Sequence, residues 1–126
     1  MVQFETSRFG KLEVADDKVI QFPAGLLGFP HVKRYVLLDY EDTPVKWLQA
    51  VDDPDVAFIV MEPRLLVQDF TCALDVMTRQ SLQLDAEEDL AILAIVRVER
   101  GQVLANLKGP LLFNSHLKIG IQAVLE

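Results

Sequence analysis

Three islands of the chain set glycine or proline directly against large apolar residues: Phe22-Pro-Ala-Gly25-Leu-Leu-Gly28-Phe29-Pro30, Asp55-Val-Ala-Phe58-Ile-Val-Met-Glu62-Pro63 and Ala105-Asn106-Leu-Lys-Gly-Pro110-Leu-Leu-Phe-Asn114. Glycine opens backbone conformations closed to other residues, and proline ends a ladder because it cannot donate to it. Placed beside core-forming side chains, they specify sharp corners in a packed framework rather than a reactive centre. A chain cornered this often has no room for long elements.

Between the islands the apolar residues recur at period two or in short continuous runs, which favours strands over amphipathic helices. An N-terminal hairpin is expected around Phe9-Gly10-Lys11, with Phe4 and Leu12 on its buried side. Strands are then predicted over 19–22, 34–39, 45–51, 56–62 and 67–74, separated by the polar proline loops Glu41-Asp42-Thr43-Pro44 and Asp52-Asp53-Pro54-Asp55. Asp75 can cap a short helix reaching Leu82, and a helical turn is possible over 85–89, where acids suit an N-terminus. The longest strand is read over 91–100, turned back by Gly101 and followed by strands over 102–107, 111–114 and 119–125. Some ten short strands in one small chain argue for an all-β fold, a small closed or nearly closed antiparallel β-barrel with one or two short helical turns, since closure removes exposed edges.

The 126 residues, with half of them apolar, suit a single domain over residues 1–126 with one core. The longest apolar run, Leu90 to Val96, has seven residues, against roughly 20 for a membrane-spanning helix. The start Met-Val-Gln-Phe-Glu lacks the basic stretch and apolar core of a secretory signal, so a cytoplasmic location is expected. A lone Cys72 cannot close an intrachain disulfide and reads as a small buried hydrophobe.

Nineteen acids stand against 12 lysines and arginines, and ten of those acids fall in three runs: Asp39, Glu41, Asp42; Asp52, Asp53, Asp55; and Asp85, Glu87, Glu88, Asp89. They read either as solvated loops or as a negative field that steers a basic partner. Direct binding of nucleic acid is disfavoured, because it needs clustered cations. From 100 to 125 the balance reverses: Arg100, Lys108 and Lys118 occur with no acid among them.

Catalytic patterns are not found. His31 and His116 have no partner at metal-ligand spacing. Ser81 and Ser115 lack a nucleophile elbow, adjacent carboxylates such as Asp52 and Asp53 point apart in a strand, and Gly25-Leu-Leu-Gly28 lacks the lysine and hydroxyl of a phosphate loop. No cofactor or metal is expected, and the protein reads as a non-enzyme.

The order and spacing of several motifs resemble the flagellar assembly factor FliW family over essentially the whole chain. They are Gly25-Leu-x-Gly28-Phe29 followed by Tyr35-Val-Leu-Leu; Asp55-Val-x-Phe58-Ile-Val with Pro63; Glu87-Glu88-Asp89 leading into the apolar strand; and Asn106-Leu-x-x-Pro110 with Asn114. Two positions depart from the family pattern: Leu27 stands where proline is frequent, and Ser115-His-Leu-Lys118-Ile replaces a lysine-rich stretch. The resemblance implies a regulator with two competing partners, flagellin and the RNA-binding translational repressor CsrA. Free flagellin would occupy the protein and leave CsrA to repress flagellin translation; export of flagellin would free it to bind CsrA. A monomer without membrane contact is expected.

Within that reading the candidate partner-binding residues are Leu27 and Phe29 as apolar anchors, Glu87 and Glu88 as an acidic rim, and Asn106 and Asn114. The two asparagines each tie a corner to backbone groups or present their amides to a partner. Two other readings remain open, a small barrel that binds a ligand in its mouth and a chaperone that takes another secretion substrate by strand addition.

Overall fold

A computed structural model describes residues 1–125; Glu126, the last residue of the expected single domain, lies outside them. Strands β1 (Val2–Thr6) and β2 (Gly10–Val14) form a hairpin of their own in which Phe4 faces Leu12. Thr6 closes it, its hydroxyl donating to the Gly10 carbonyl at 2.8 Å and accepting from the Phe9 amide at 2.7 Å.

The other eight strands are β3 (Ile20–Gln21), β4 (Arg34–Asp39), β5 (Lys46–Ala50), β6 (Ala57–Met61), β7 (Leu90–Glu99), β8 (Gln102–Ala105), β9 (Leu111–Asn114) and β10 (Gly120–Gln122). They make one sheet in the order β10-β9-β7-β6-β5-β4-β3, with β8 attached to β7. Each ladder is antiparallel. A single parallel bridge, Gln21 with Ile119, joins the two ends of this order, and the Gln21 amide donates to the Lys118 carbonyl at 2.8 Å. One bridge is not a ladder: the fold is an antiparallel β fold with little helix, and a closed barrel is not found among the described residues.

Strand β7 is the spine. Residues 94–96 pair with β6 on one side; on the other, residues 96–99 pair with β8 and 90–93 with β9. Strands β8 and β9 therefore form one interrupted line along β7, in which residues 106–110 stand opposite only residues 94 and 95. This bulge is the third island: Pro110 cannot donate to a ladder, and Asn106 folds the chain on itself.

The main core joins Ile20, Phe22, Tyr35, Leu48, Val60 and Leu93 with their neighbours. A second cluster, Phe4, Val36 and Val51, lies where the β1–β2 hairpin covers the opposite face of β4. Gly25 makes the first corner possible: its φ is +71°, and a Cβ there would lie 2.6 Å from the Phe29 carbonyl oxygen.

One expected strand is absent among the described residues. Residues 67–74 do not form a strand. Pro63–Leu65 is a 3-10 turn, the Arg64 guanidinium donates to the Phe70 carbonyl at 3.1 Å, and Leu65, Leu66 and Val67 are exposed. Strand-forming residues without a neighbour to pair with gain nothing from their propensity. The helix α1 is Val76–Ser81, capped as expected by Asp75, whose carboxylate accepts from the Thr78 amide at 2.7 Å. That bond holds the Asp75 carboxyl below its usual range. The acidic turn at Glu87–Asp89 is 3-10.

Tyr35 is fully buried, edge-on to Phe22 at 5.7 Å, and among the described residues its hydroxyl has no hydrogen-bond partner. Burial, followed by the charges of Asp52 and Asp53, pushes its pKa up to about 12. The folded state therefore holds a proton that the unfolded chain releases near pH 10, so this group's contribution to stability falls as pH rises from 10 to 12. Unfolding in urea across that window is expected to show a loss on the order of 2–3 kcal/mol. Tyr35→Phe should remove this loss and leave stability at pH 7 unchanged or raised by about 1 kcal/mol, since no hydrogen bond is lost.

Candidate functional site

The three islands, far apart in sequence, meet around the first corner. Leu26 and Phe29 close a tight turn through two backbone hydrogen bonds, leaving Leu27 at its tip, 62% exposed. Phe29 is half-buried and packs edge-on against Phe58 of the second island, with ring centres 5.3 Å apart. The third island is joined by Gln122 on β10. Its Oε1 accepts from the Leu27 amide at 2.8 Å and its Nε2 donates to the Gly109 carbonyl at 2.9 Å. The Gly109 amide in turn donates to the Asn106 side chain at 3.1 Å. Leu27, Phe29 and Asn106 thus belong to one surface, built on a chain of amides.

Gln122 escaped the sequence reading. The signal was present: it is the lone polar residue within Ile119–Leu125, and an amide in an apolar strand must find partners if it is buried.

Glu87, Glu88 and Asn114 lie elsewhere, at the start of β7, where Asn114 pairs with Leu90. Asn114 is buried and its amide is fully used within the chain. Its Nδ2 donates to the Leu82 and Gln83 carbonyls at 3.0 and 3.1 Å, and its Oδ1 accepts from the His116 and Leu117 amides at 2.9 and 3.1 Å. Of the two roles open to an asparagine in an apolar strand, it takes the structural one. Glu87 and Glu88 are exposed, and Glu87 pairs with Arg79 at 2.6 Å. Behind them a groove of about 680 Å³ runs past Glu62, Arg64 and Cys72 with Leu90 and Ile92 as its floor. Burial pushes the Cys72 thiol up, away from a reactive thiolate.

The other acidic runs are partly engaged at home. Asp52 binds Arg34 at 2.6 Å, Asp39 binds Lys46, and Asp55 accepts from the Ser7 hydroxyl. The Asp52 bond raises the Arg34 pKa further above its already high value. Among the described residues no group of three His, Cys, Asp or Glu side chains is placed to hold a metal ion, and no helix is long and apolar enough to cross a membrane.

Two substitutions check which amides hold the corners. Gln122→Ala should cost about 1–3 kcal/mol and speed amide exchange at Leu27, whereas Gln122→Glu keeps an acceptor for Leu27 and should protect that amide. Asn114→Ala removes four hydrogen bonds and leaves the buried Leu82 carbonyl and three part-buried backbone groups without their partner, for about 2–4 kcal/mol measured by chemical unfolding.

Comparison with known proteins matches the chain as a whole to one family. The family model described as FliW protein matches residues 3–126. The flagellar assembly factor FliW of Thermoanaerobacter pseudethanolicus is 36% identical over 99% of this chain and 86% of its own length. That of Syntrophus aciditrophicus is 37% identical over 99% and 81%, and that of Geotalea uraniireducens 39% identical over 96% and 76%. A crystal structure of the flagellar assembly factor FliW superposes with a TM-score of 0.90 at 31% identity, covering 98% of this chain and 88% of that one. The chain belongs to the FliW family of flagellar assembly factors.

Proposed function

We propose that this protein is a cytoplasmic, non-enzymatic regulator of flagellar assembly that binds unassembled flagellin and, in exchange, the translational repressor CsrA, so that flagellin synthesis follows export. Membership of the FliW family carries the reading; the two partners are those that the resemblance implies. The exposed corner of Leu27, with Phe29 and Asn106 behind it, supplies an apolar anchor with a polar surround, the usual anatomy of a protein interface. The Glu87–Glu88 turn supplies a negative edge suited to an RNA-binding protein, whose own surface is basic. Asn114 serves by holding that turn's surroundings in place. The protein acts as one domain and as a monomer, and the Gln21–Ile119 bridge is the point at which its sheet comes nearest to closing into a barrel.

Titration calorimetry with CsrA and with unassembled flagellin, followed by competition, tests the exchange. Binding to both with mutual exclusion is expected, and binding to neither would overturn the reading. Glu87→Lys with Glu88→Lys should weaken CsrA binding up to about tenfold at low salt, since exposed charge pairs are worth about 0.2–1 kcal/mol each. The difference should shrink at physiological ionic strength. Unchanged CsrA affinity at low salt would remove the electrostatic part of the proposal.

A further inference from the structure

Strand β8 has one ladder, with β7, and among the described residues no strand pairs with its other side. The direction of its backbone groups follows from the turn that starts it. Glu99 pairs with Gln102 across Arg100 and Gly101, whose φ values of +52° and +77° are those of a two-residue hairpin turn of type I′. Residues flanking such a turn exchange both backbone hydrogen bonds, and the pattern then alternates. Gln102 and Leu104 therefore point their N–H and C=O groups at β7. The Asn106 amide, donating to the Ile95 carbonyl at 2.9 Å, keeps the same alternation. Val103 and Ala105 point theirs outward, to the open side.

The side chains there are apolar. Val98 and Val103 face each other across the ladder and are 62% and 50% exposed, and Leu104, opposite Arg97, is 38% exposed. Edge strands are commonly blunted by charge or proline, yet Gln102, Val103, Leu104 and Ala105 include neither. The neighbouring strand line leads toward this edge. Beyond β10, the Ala123 amide donates to the Pro110 carbonyl at 2.9 Å and the Leu125 amide to the Lys108 carbonyl at 2.7 Å. An added strand antiparallel to β8 would lie end to end with that line.

Charge selects the occupant. The chain as a whole carries 19 acids against 12 lysines and arginines, but its residues from Arg97 to Lys118 include four such cations and one acid, Glu99. Glu99 pairs with Arg97 at 3.0 Å, and among the described residues Arg100 has no carboxylate partner. Arg100 also occupies a left-handed position that suits glycine or asparagine better. The chain thus keeps a cation at the hairpin tip against its conformational preference. A second copy would bring another net charge of −7 to the edge.

We propose that the open side of β8 is a strand-addition site whose occupant is an extended segment of a partner protein, with apolar residues alternating with carboxylates. Backbone bonds to Val103 and Ala105 hold such a segment; on one face its apolar residues pack beside Val103, which borders Val98, and on the other its carboxylates lie beside Leu104, with Arg100 at one end of the edge and Lys108 at the other.

The probe is a capped nine-residue peptide of alternating valine and glutamate, titrated into the whole protein and followed by amide exchange and NMR. Protection is expected at Val103 and Ala105 and not elsewhere on the sheet, and the same peptide with lysine for glutamate should bind about tenfold more weakly, the sum of two exposed charge contacts. Val103→Pro removes an outward amide while leaving the β7–β8 ladder bonds in place, and should abolish binding. A peptide N-methylated on the edge that meets β8 should also fail, a test that does not depend on any variant folding. Arg100→Asn should raise thermal stability yet weaken the acidic peptide severalfold, two effects that a purely structural arginine would not combine. Equal binding of the methylated peptide, or no protection at Val103 and Ala105 at millimolar peptide, would overturn the site. Concentration-dependent dimerisation of the protein alone, abolished by Val103→Pro, would give the edge to a second copy and overturn the proposed occupant.

Discussion

The backbone ladder along β7 is the interaction on which the rest depends. Its ten residues pair with β6 on one side and with β8 and β9 on the other, so three ladders fail together if it is displaced. Its sequence suits that position: from Leu90 to Val96 it offers apolar side chains to both faces, with Leu93, Ala94 and Val96 all buried. Past Val96 burial ends, and Arg97, Val98 and Glu99 carry the hairpin with β8 beyond the core. One strand thus supplies the buried ladder with β9 and carries, through its hairpin, the open edge of β8.

Several corners around this spine are tied by uncharged amides. Gln122 bridges Leu27 and Gly109, Asn114 holds two carbonyls and two amides, and buried Gln49 donates to the Ala50 and Val56 carbonyls at 3.0 and 3.2 Å. A side-chain amide carries a donor and an acceptor on one rigid plane, so a single residue can satisfy a carbonyl of one loop and an N–H of another. A carboxylate could serve only the N–H groups and would have to be desolvated as a charge. Among the described residues no acid is buried, and Asp39, Asp52 and Glu87 find exposed or half-exposed cations.

What was legible in the sequence was local. Short continuous apolar runs placed β4 and β9 to the residue, Asp75 announced its helix through a bond three residues away, and glycine marked the β7–β8 turn. What was not legible depended on a partner distant in the chain. Residues 67–74 have the composition of a strand, but whether a neighbour lies alongside is decided by the path after Pro63. The convergence of the three islands was equally hidden, because Phe29 meets Phe58 and Leu27 meets Gln122 across separations that no local pattern encodes. Of the two asparagines marked for a partner, burial divides them: Asn114 is 2% exposed, whereas Asn106 remains at the surface.

The candidate surfaces sit at different points along the same spine, and this bears on how the two proposed partners would exclude each other. Asn106 is anchored on Ile95, and the Glu87–Glu88 turn leads into β7 at Leu90. Five strand residues separate those anchors, about 17 Å at the usual rise. A standard interface covers about 800 Å² on each partner, a patch about 30 Å across. Two proteins centred on these two points would overlap on the intervening surface. Under the proposed exchange, mutual exclusion would require no conformational change in this framework; it would follow from the small size of the body that carries both surfaces.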